Sequence, residues 1–345
     1  MKAAVLTRVF DPKTGTPGKV ECMDWPDPKI CEDDDVLIDI AYASICGSDK
    51  HYIKDNLFPE EPPYAVGHEW SGVIADLGPA AKEAGLAVGD RVTGDFMLEC
   101  GTCFNCRTGK QQFCEHPVMT LGMQAEQVVL KAAQVFKIPD DVDLDVAAMT
   151  EPFAIAVNAI LKSGLSAGMS VFVIGAGSIG QMLVQLARIS GASLVATSAR
   201  TAYKRDLALE MGADIAIDPT AQDVVQASLD ATDGRGFDIV IEASGSAGCV
   251  SDALDIVTPG GKVLLVSYYD PEALVSIPVF KKIVQREVTL QGMQIGQQGW
   301  PYAIKMLSRV NLRPLISEVY DLEDVEKAYA SHMKGDKLKI LLKCS

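Results

Sequence analysis

The sequence predicts an α/β protein of two domains, the first rich in β-strands and the second a doubly wound parallel sheet with helices on both faces. Three observations predict this architecture. The chain has 345 residues, 48% of them apolar, which is enough for two cores of ordinary size. Its first half carries short β-type runs joined by irregular connections that contain Gly and Pro. From Val171 onward, strands alternate with helical stretches.

The charge balance excludes several classes of partner. The 46 acidic side chains outnumber the 31 basic ones, so the formal net charge is −15. Such a chain repels a phosphate backbone and an anionic membrane surface. No apolar run approaches the roughly 18 to 20 residues of a membrane span, and the N-terminus lacks the apolar stretch of a signal peptide. We therefore expect no nucleic-acid or membrane partner and a cytoplasmic location.

The individual elements follow from hydrophobic periodicity. In the first domain the clearest strands are expected at 36–40 and 127–130. In the second domain six strands are expected, at 171–174, 194–197, 215–217, 238–242, 263–266 and 288–290. A helix over 181–189 follows the first of them, because apolar residues recur there at helical spacing and Gly191 ends the pattern. A helix at 302–307, a turn at Arg313-Pro314 and a strand at 338–342 close the chain.

A glycine motif lies between the first strand and the first helix of the second domain. The apolar strand runs into Gly175-Ala176-Gly177-Ser178-Ile179-Gly180 and then into the helix. Gly175 permits a tight turn, Gly177 lets the backbone approach a pyrophosphate, and Gly180 lets the helix pack closely on the strand. Ser178 and Ile179 begin the helix, whose unpaired N–H groups and dipole favour phosphate. A purely structural turn is the alternative, and this context disfavours it.

The end of the second strand of this domain predicts which dinucleotide binds. An NAD-binding protein carries an acid there for the ribose hydroxyls, whereas this chain reads Ser198-Ala199-Arg200. Ala199 leaves room for a 2′-phosphate, Ser198 can donate a hydrogen bond, and Arg200 can bind phosphate in a bidentate manner. Lys204 lies one helical turn further on. We expect NADP(H) to be preferred over NAD(H); the alternative is that these cations form a solvated helix start.

Four of the nine cysteines crowd into fifteen residues. Their spacing is Cys100-x2-Cys103-x2-Cys106-x7-Cys114. Four soft, anionic sulfur ligands suit tetrahedral Zn²⁺, and a closed sulfur shell leaves no position for substrate. We therefore expect a structural zinc site. A disulfide pair or an iron–sulfur cluster is the alternative, and a chain without a secretion signal disfavours the disulfides.

A second metal constellation is distributed over the first domain. Cys46, His68 and Glu69 lie in two short stretches, and Glu151 lies at the domain border. Each residue alone is an ordinary packed side chain or helix entrance. Together they describe one open zinc site with one sulfur, one nitrogen and one or two carboxylate ligands, which leaves a position for water or substrate.

These motifs resemble the zinc-dependent medium-chain alcohol dehydrogenases. The Cys46-Gly-Ser-Asp-x-His-Tyr52 and Glu151-Pro stretches are similar to those of the sorbitol-type polyol dehydrogenases and their butanediol and threonine dehydrogenase relatives. The resemblance covers essentially the whole chain. It implies a GroES-like catalytic domain over 1–152, completed by 291–345, and a Rossmann dinucleotide-binding domain over 153–290.

The resemblance also implies roles for the site residues. Cys46 and His68 are catalytic zinc ligands, and Glu69 is a direct ligand or a carboxylate just behind the ligands. Glu151 occupies the remaining position, either on zinc or through its water. Zinc lowers the pKa of a bound alcohol, which then yields a hydride to the nicotinamide ring.

The family's proton relay corresponds here to two further residues. Ser48 takes the alcohol proton and His51 passes it to solvent. A hydroxyl that caps a turn is the alternative for Ser48, and a surface histidine is the alternative for His51.

One segment departs from the sorbitol-type pattern. Where those enzymes carry an Arg-Tyr pair that helps to hold the polyol, this chain has Ile295 and Gly296. Gln294, Gln297 and Gln298 nearby remain able to bond hydroxyl groups. We therefore expect a substrate that is smaller than sorbitol, less hydroxylated or bound differently.

The resulting hypothesis is a zinc-dependent oxidoreductase that interconverts a secondary alcohol and its ketone with NADP(H). The substrate is expected to be a polyol, sugar alcohol or vicinal diol. A threonine-type amino alcohol dehydrogenase is the nearest alternative. A non-catalytic NADP-binding protein and a zinc-free quinone reductase are disfavoured by the intact zinc ligands. We expect two zinc ions per chain and a homo-oligomer, either a tetramer or a dimer, with 263–266 as an edge-strand contact.

Overall fold

The computed structural model describes residues 1–55 and 61–345 and divides the chain into two compact units. The first unit comprises Met1–Pro152 and Trp300–Ser345, and the second comprises Phe153–Gly299. The chain returns to the first unit at Trp300, later than the expected position 291. The reason is that Thr289–Gly292 still forms a strand in the sheet of the second unit.

The elements are as follows in chain order. Before the second unit lie β1 (Lys2–Arg8), β2 (Lys19–Asp24), β3 (Asp35–Ser44), α1 (Lys50–Lys54), β4 (Tyr64–Ala65), β5 (Glu69–Leu77), α2 (Pro79–Glu83), β6 (Arg91–Gly94), β7 (Met97–Leu98), α3 (Phe104–Arg107), β8 (Val118–Met119), β9 (Gln127–Lys131), β10 (Val135–Lys137), α4 (Leu144–Ala147) and α5 (Thr150–Ser163), which continues into the second unit. The second unit adds β11 (Ser170–Ile174), α6 (Ser178–Ile189), β12 (Leu194–Ser198), α7 (Ala202–Glu210), β13 (Ile215–Ile217), α8 (Val224–Asp230), β14 (Phe237–Glu242), α9 (Gly248–Ile256), β15 (Val257–Leu265) and β16 (Thr289–Gly292). The final stretch contains α10 (Trp300–Met306), β17 (Ile316–Asp321), α11 (Val325–His332) and β18 (Lys339–Lys343). Over residues 1–55 and 61–345, no helix is both long and apolar enough to cross a membrane.

The first unit is built around a sheet that joins distant parts of the chain. Its strand order is β10-β6-β5-β3-β18-β17, and β9 also pairs with β3. In β3 the side chains of Val36, Ile38 and Ile40 are fully buried, whereas Leu37 and Asp39 are more exposed, as a two-residue period requires. The C-terminal strand β18 runs antiparallel to β3, so the end of the chain completes the sheet that begins near residue 35.

The second unit contains a six-stranded parallel sheet in the order β13-β12-β11-β14-β15-β16. Its central strands are continuous apolar runs, as expected for a sheet covered on both faces. Phe172 and Phe237 meet edge to face in its core, with ring centroids 5.2 Å apart. The strand order reverses at β11, and such a switch point opens a crevice at the carboxyl ends of the strands. The predicted α/β class is therefore confirmed.

The expectation of an edge strand at 263–266 is wrong. Residues Val263 to Leu265 belong to β15, which is hydrogen-bonded to β14 on one side and to β16 on the other. The strand predicted at 288–290 corresponds to β16, which pairs with β15 and so takes the edge position. Among the described residues, the edges of this sheet are β13 and β16.

The glycine motif forms the turn between β11 and α6 and packs closely against the start of the helix. Gly175 has φ +96°, a conformation that L side chains rarely adopt. A Cβ atom on Gly180 would lie 1.9 Å from the carbonyl oxygen of Gly175, so the helix can approach the loop only without a side chain there. A Cβ atom on Gly177 would meet no atom within 4 Å. Gly180 thus serves packing, whereas the space beside Gly177 is open.

We predict that Gly180→Ala destabilises the protein by about 1 to 3 kcal/mol, because the overpacked joint must shift. Gly177→Ala, at the helix N-cap, should cost less than about 1 kcal/mol. The midpoints of urea unfolding measure both effects. Equal shifts for the two variants would contradict the packing role of Gly180.

Candidate functional site

The pairing of β3 with β5 brings the first three expected ligands together. Ser44, at the end of β3, is the antiparallel partner of Glu69, at the start of β5. Cys46 follows the first strand and His68 precedes the second. One donor atom from each of Cys46, His68 and Glu69 lies within 4.8 Å of the others. This spacing suits a single metal ion held by sulfur, nitrogen and oxygen.

Glu69 is held by a lysine that sequence reasoning missed. Lys339 Nζ, on β18, lies 2.7 and 2.6 Å from the two carboxylate oxygens of Glu69. The side chains are 5% and 0% exposed, respectively. Burial alone would raise the pKa of Glu69, but the charge of Lys339 outweighs it and lowers that pKa. The two residues are 270 positions apart, so no local pattern could have indicated the pair.

Glu151 offers a carboxylate oxygen that is not engaged. It lies in the first turn of α5, and its buried Oε2 has no hydrogen-bond partner among the described residues. Burial, together with the nearby carboxylates Glu69 and Asp95, raises the pKa of Glu151 to about 8, although His68 opposes the shift. Burial likewise raises the pKa of the Cys46 thiol well above its ordinary value.

The described residues around Cys46 therefore include more buried carboxyl groups than buried basic groups that could neutralise them. Lys339 offsets one carboxylate, and the remaining acids resist ionisation because they are out of water. A divalent cation would supply the missing charge and favour both the thiolate and the carboxylate. The donor set of Cys46, His68 and Glu69 thus fits Zn²⁺, whereas Glu151 does not lie within 4.8 Å of all three of these donors.

Asp49 is a second site residue that sequence reasoning missed. Its Oδ2 accepts a hydrogen bond from the Cys46 backbone N–H at 3.0 Å. Its Oδ1 lies 3.8 Å from Nδ1 of His68, close enough for an electrostatic contact with that side of the ring. Burial raises the pKa of Asp49 to about 6. Its position three residues after Cys46 was a signal that could have identified it.

The two expected relay residues lie next to the ligands in sequence and are both hydrogen-bonded. Ser48 Oγ donates to Cys46 Sγ at 3.2 Å. His51, on α1, has Nδ1 2.8 Å from both carboxylate oxygens of Asp55. The Asp55 carboxylate therefore orients the His51 ring, and this residue too was missed.

The four clustered cysteines form a second, separate group. Their sulfur atoms all lie within 4.8 Å of one another, and all nine cysteines of the chain are free thiols. Backbone N–H groups point at three of the sulfurs: Cys103 N at Cys100, Cys106 N at Cys103, and Cys100 N at Cys114, at 3.3 to 3.5 Å. Such N–H donors stabilise thiolates: those of Thr102 and Cys103 lower the pKa of Cys100 to about 6, whereas burial raises the pKa of Cys106 to about 12. The cluster fits a closed Zn²⁺ site.

The glycine motif is anchored to the neighbouring strand. The N–H groups of Gly175 and Ala176 both donate to the carbonyl oxygen of Ser198, at 3.1 and 3.0 Å. Ser178 and Ile179 form the first turn of α6, after the N-cap residue Gly177. The helix N-terminus therefore adjoins the end of β12, where the specificity residues were expected.

The residues after β12 divide into buried and exposed members. Ser198 and Ala199 are buried, whereas Arg200 is exposed. Arg205 donates to the carbonyl oxygen of Ala199 at 2.7 Å and pairs with Asp218 at 2.9 Å, so it serves the structure. Lys204 Nζ lies 5.8 Å from the ring of Tyr203.

The segment that departs from the sorbitol-type pattern packs on the second-unit part of α5. Asn158 Nδ2 donates to the carbonyl oxygen of Ile295 at 2.6 Å. A Cβ atom on Gly296 would lie 2.8 Å from the backbone nitrogen of Ile155, so no side chain fits there. The amide nitrogen and oxygen of Gln297 are buried and have no hydrogen-bond partner among the described residues. Gln294 and Gln298 are exposed.

Two family models match the chain. The model of the alcohol dehydrogenase GroES-like domain matches residues 32–140, and the model of the zinc-binding dehydrogenases matches residues 178–309. The first lies in the first unit, and the second covers most of the second unit. The predicted pairing of a GroES-like domain with a Rossmann domain is thereby confirmed.

Curated relatives match along nearly the whole chain. An L-threonine 3-dehydrogenase of Pyrococcus horikoshii is 32% identical, over 97% of this chain and 98% of that protein. A D-arabitol-phosphate dehydrogenase of Enterococcus avium is 31% identical, over 90% of each chain.

Solved structures match as well. A protein of Sinorhizobium meliloti, solved bound to NADP, superposes with a TM-score of 0.89 at 31% identity, over 99% of this chain and 98% of that one. The 2R,3R-butanediol dehydrogenase of Bacillus subtilis superposes with a TM-score of 0.86 at 26% identity, over 100% of this chain and 99% of that one.

We predict that Lys339→Met destabilises the zinc-free protein by about 3 to 5 kcal/mol, because it leaves the Glu69 carboxylate buried without a counter-ion. The double variant Lys339→Met/Glu69→Gln should recover much of that loss. Lys327→Met is the control, since Lys327 is exposed and should matter little. Urea unfolding measures all three, and equal shifts for Lys339→Met and the control would contradict the prediction.

Proposed function

This chain belongs to the zinc-binding medium-chain dehydrogenase family and is a zinc-dependent, NAD(P)-linked dehydrogenase that acts on alcohols. From this premise we propose its substrate, its preferred cofactor and its site residues. The substrate is a secondary alcohol within a polyol, sugar alcohol or vicinal diol, which is interconverted with its ketone. The preferred cofactor is NADP(H). The observation that carries the proposal is the cluster of the half-buried Cys46 and His68 with the buried Glu69, beside further buried carboxylates.

The charge of the site favours an uncharged, hydroxyl-rich substrate. The buried carboxylates there belong to Asp49, Glu69, Asp95 and Glu151. Among the described buried residues of this site, the cation is Lys339, which Glu69 already holds. A substrate with its own carboxylate would meet like charge and no unpaired buried cation among these residues, whereas an uncharged hydroxyl group meets no such repulsion.

Cys46, His68 and Glu151 would hold the catalytic zinc. Glu69 lies within reach of the ion, but both of its oxygens are bound by Lys339, whereas Glu151 has an oxygen to spare. We therefore assign the carboxylate ligand to Glu151 and a supporting role to Glu69. When bound, zinc acts as a Lewis acid that polarises the hydroxyl or carbonyl group of the substrate.

Ser48 and His51 would move the proton. Ser48 Oγ is held 3.2 Å from the Cys46 sulfur, so it would be near a substrate hydroxyl bound at this site and could accept its proton while passing its own proton on. His51, oriented by Asp55, would pass that proton to solvent.

Two features of the second unit support NADP(H). The end of β12 carries the small, buried Ala199 where a carboxylate would repel a 2′-phosphate. Ser198 and Lys204 flank the position, and Arg205 and Asp218 neutralise one another nearby. Arg200 is exposed and available for a bidentate phosphate contact.

A threonine-type reaction is the second candidate, because several curated relatives are L-threonine 3-dehydrogenases. The absence of a buried cation for the carboxylate of an amino acid weighs against it, within the part of the chain that the structure describes.

We also propose a homo-oligomer, either a dimer or a tetramer, and a cytoplasmic location. None of the nine cysteines is in a disulfide, which agrees with a reducing compartment.

We predict turnover with vicinal diols or polyols in a panel that also contains 3-hydroxy amino acids, measured spectrophotometrically with each cofactor. Cys46→Ala should lower kcat/KM at least about 100-fold, because a zinc ligand is lost. Cys31→Ala, which removes an exposed free thiol, is the matched control. A preference for threonine over every diol would overturn the substrate assignment, and unchanged turnover in Cys46→Ala would overturn the site assignment.

We predict that Arg200→Ala raises KM for NADP(H) roughly 10- to 100-fold and leaves KM for NAD(H) nearly unchanged, because a charge-assisted phosphate contact is lost. Arg309→Ala removes an exposed arginine from the first unit and serves as the control for net charge. Steady-state kinetics with both cofactors test the prediction. Equal kcat/KM of the unmodified enzyme for NAD and NADP would count against the cofactor preference.

A further inference from the structure

A chain of buried hydrogen bonds extends from the candidate metal ligand His68 to a tyrosine near the C-terminus. We propose that Gln124 and Tyr329 are positioning residues, which hold Asp49 so that His68 presents the correct ring nitrogen to the catalytic zinc. This inference rests on the proposed ligation of zinc by His68.

The first link is Asp49, which acts on two ligands at once. Its Oδ2 accepts hydrogen bonds from the Cys46 backbone N–H at 3.0 Å and from Gln124 Nε2 at 3.2 Å. Its Oδ1 is buried, has no hydrogen-bond partner among the described residues, and lies 3.8 Å from His68 Nδ1. This distance is an electrostatic contact longer than a hydrogen bond; the carboxylate favours N–H at the ring nitrogen that it faces, which would leave the other nitrogen for a metal.

The second link is Gln124, which is fully buried. A carboxylate only accepts hydrogen bonds, so the amide nitrogen of Gln124 must face Asp49 and its oxygen must face away. The side chain also packs over Gly67, the residue before His68. A Cβ atom on Gly67 would lie 2.4 Å from Gln124 Cγ. Gln124 thus contacts both the carboxylate behind the His68 ring and the backbone that carries it.

The third link is Tyr329 on α11, which is 3% exposed. Its hydroxyl donates to Gln124 Oε1 at 3.0 Å. Because this oxygen is then satisfied, the amide cannot rotate by half a turn without losing bonds at both ends. Tyr329 therefore determines which end of the amide faces Asp49, although it lies 205 residues from Gln124 in sequence.

A merely structural role for these residues makes a different prediction. Loss of a buried hydrogen bond lowers the stability of the whole first unit, and both zinc ions would then be released faster. A positioning role changes the release rate of one zinc ion only, the ion that His68 would bind. The closed four-cysteine site belongs to the same unit, and its thiolates are held by their own backbone N–H groups, so it is an internal reference.

The test is zinc release from the intact, zinc-loaded protein into a colorimetric chelator. We compare the unmodified chain with Tyr329→Phe and Gln124→Met, which keep the shape of the side chains. Tyr320→Phe is the matched control, because its hydroxyl donates instead to Glu318, at 2.9 Å. Thermal unfolding of each variant is measured in parallel. Replacement of the labile zinc by Co²⁺ adds an absorption spectrum that reports ligand geometry.

The expected result is that one of the two zinc ions leaves about 10-fold faster in Gln124→Met and several-fold faster in Tyr329→Phe. The other ion and the Tyr320→Phe control should behave as in the unmodified chain, and the Co²⁺ spectrum should change only in the first two variants. Unchanged release, or faster release of both ions in step with lower thermal stability, would overturn the inference. An unmodified chain that holds one zinc ion would refute the proposed catalytic site itself, and a Gln124→Met chain that fails to fold leaves Tyr329→Phe to decide.

Discussion

The architecture of the site depends on one electrostatic constraint, an excess of buried acidic groups over buried basic groups. Several acids are buried around Cys46, and among the described residues Lys339 is the buried lysine that faces them. Lys339 and Glu69 neutralise one another, at 2.6 to 2.7 Å. The remaining acids, Glu151 above all, are left with raised pKa values because burial penalises their charged forms. The protein thus supplies negative charge in advance of a cation, and the zinc of this family completes the balance.

This constraint explains why the first unit is assembled from both ends of the chain. The ligands come from β3 and β5, whereas the lysine comes from β18, which pairs with β3. If β18 did not join the sheet, Glu69 would be buried without a counter-ion, which costs several kcal/mol. The return of the C-terminal segment is therefore an electrostatic requirement of the site as well as a packing requirement of the sheet.

The sequence predicted the fold and much of the donor chemistry because those features are local. The alternation of apolar runs identified the parallel sheet, and the spacing of the four cysteines identified their cluster. Strand order was harder: 263–266 was expected at an edge, yet β16 pairs outside it. Lys339 and Tyr329 were not identified, since each acts on a residue more than 200 positions away and no periodicity links them. Asp49 is different, because its closeness to Cys46 made it identifiable.

The two candidate metal centres differ in how the protein treats their sulfur atoms. At the four-cysteine cluster, backbone N–H groups lie 3.3 to 3.5 Å from three of the sulfurs, and such donors lower the pKa of Cys100 to about 6, although burial raises that of Cys106 to about 12. At Cys46 burial, together with the neighbouring carboxylates, raises the pKa of the thiol. In the first centre the local backbone N–H groups contact the sulfur ligands, as suits a structural ion that remains bound. At the second centre burial disfavours the charged forms of the ligands, which a bound cation would favour, so that metal retention there depends on how well the surrounding hydrogen bonds orient each ligand. The second centre can keep a coordination position open for substrate, because its donors are not four thiolates. The first centre cannot, because its four sulfurs close the coordination shell.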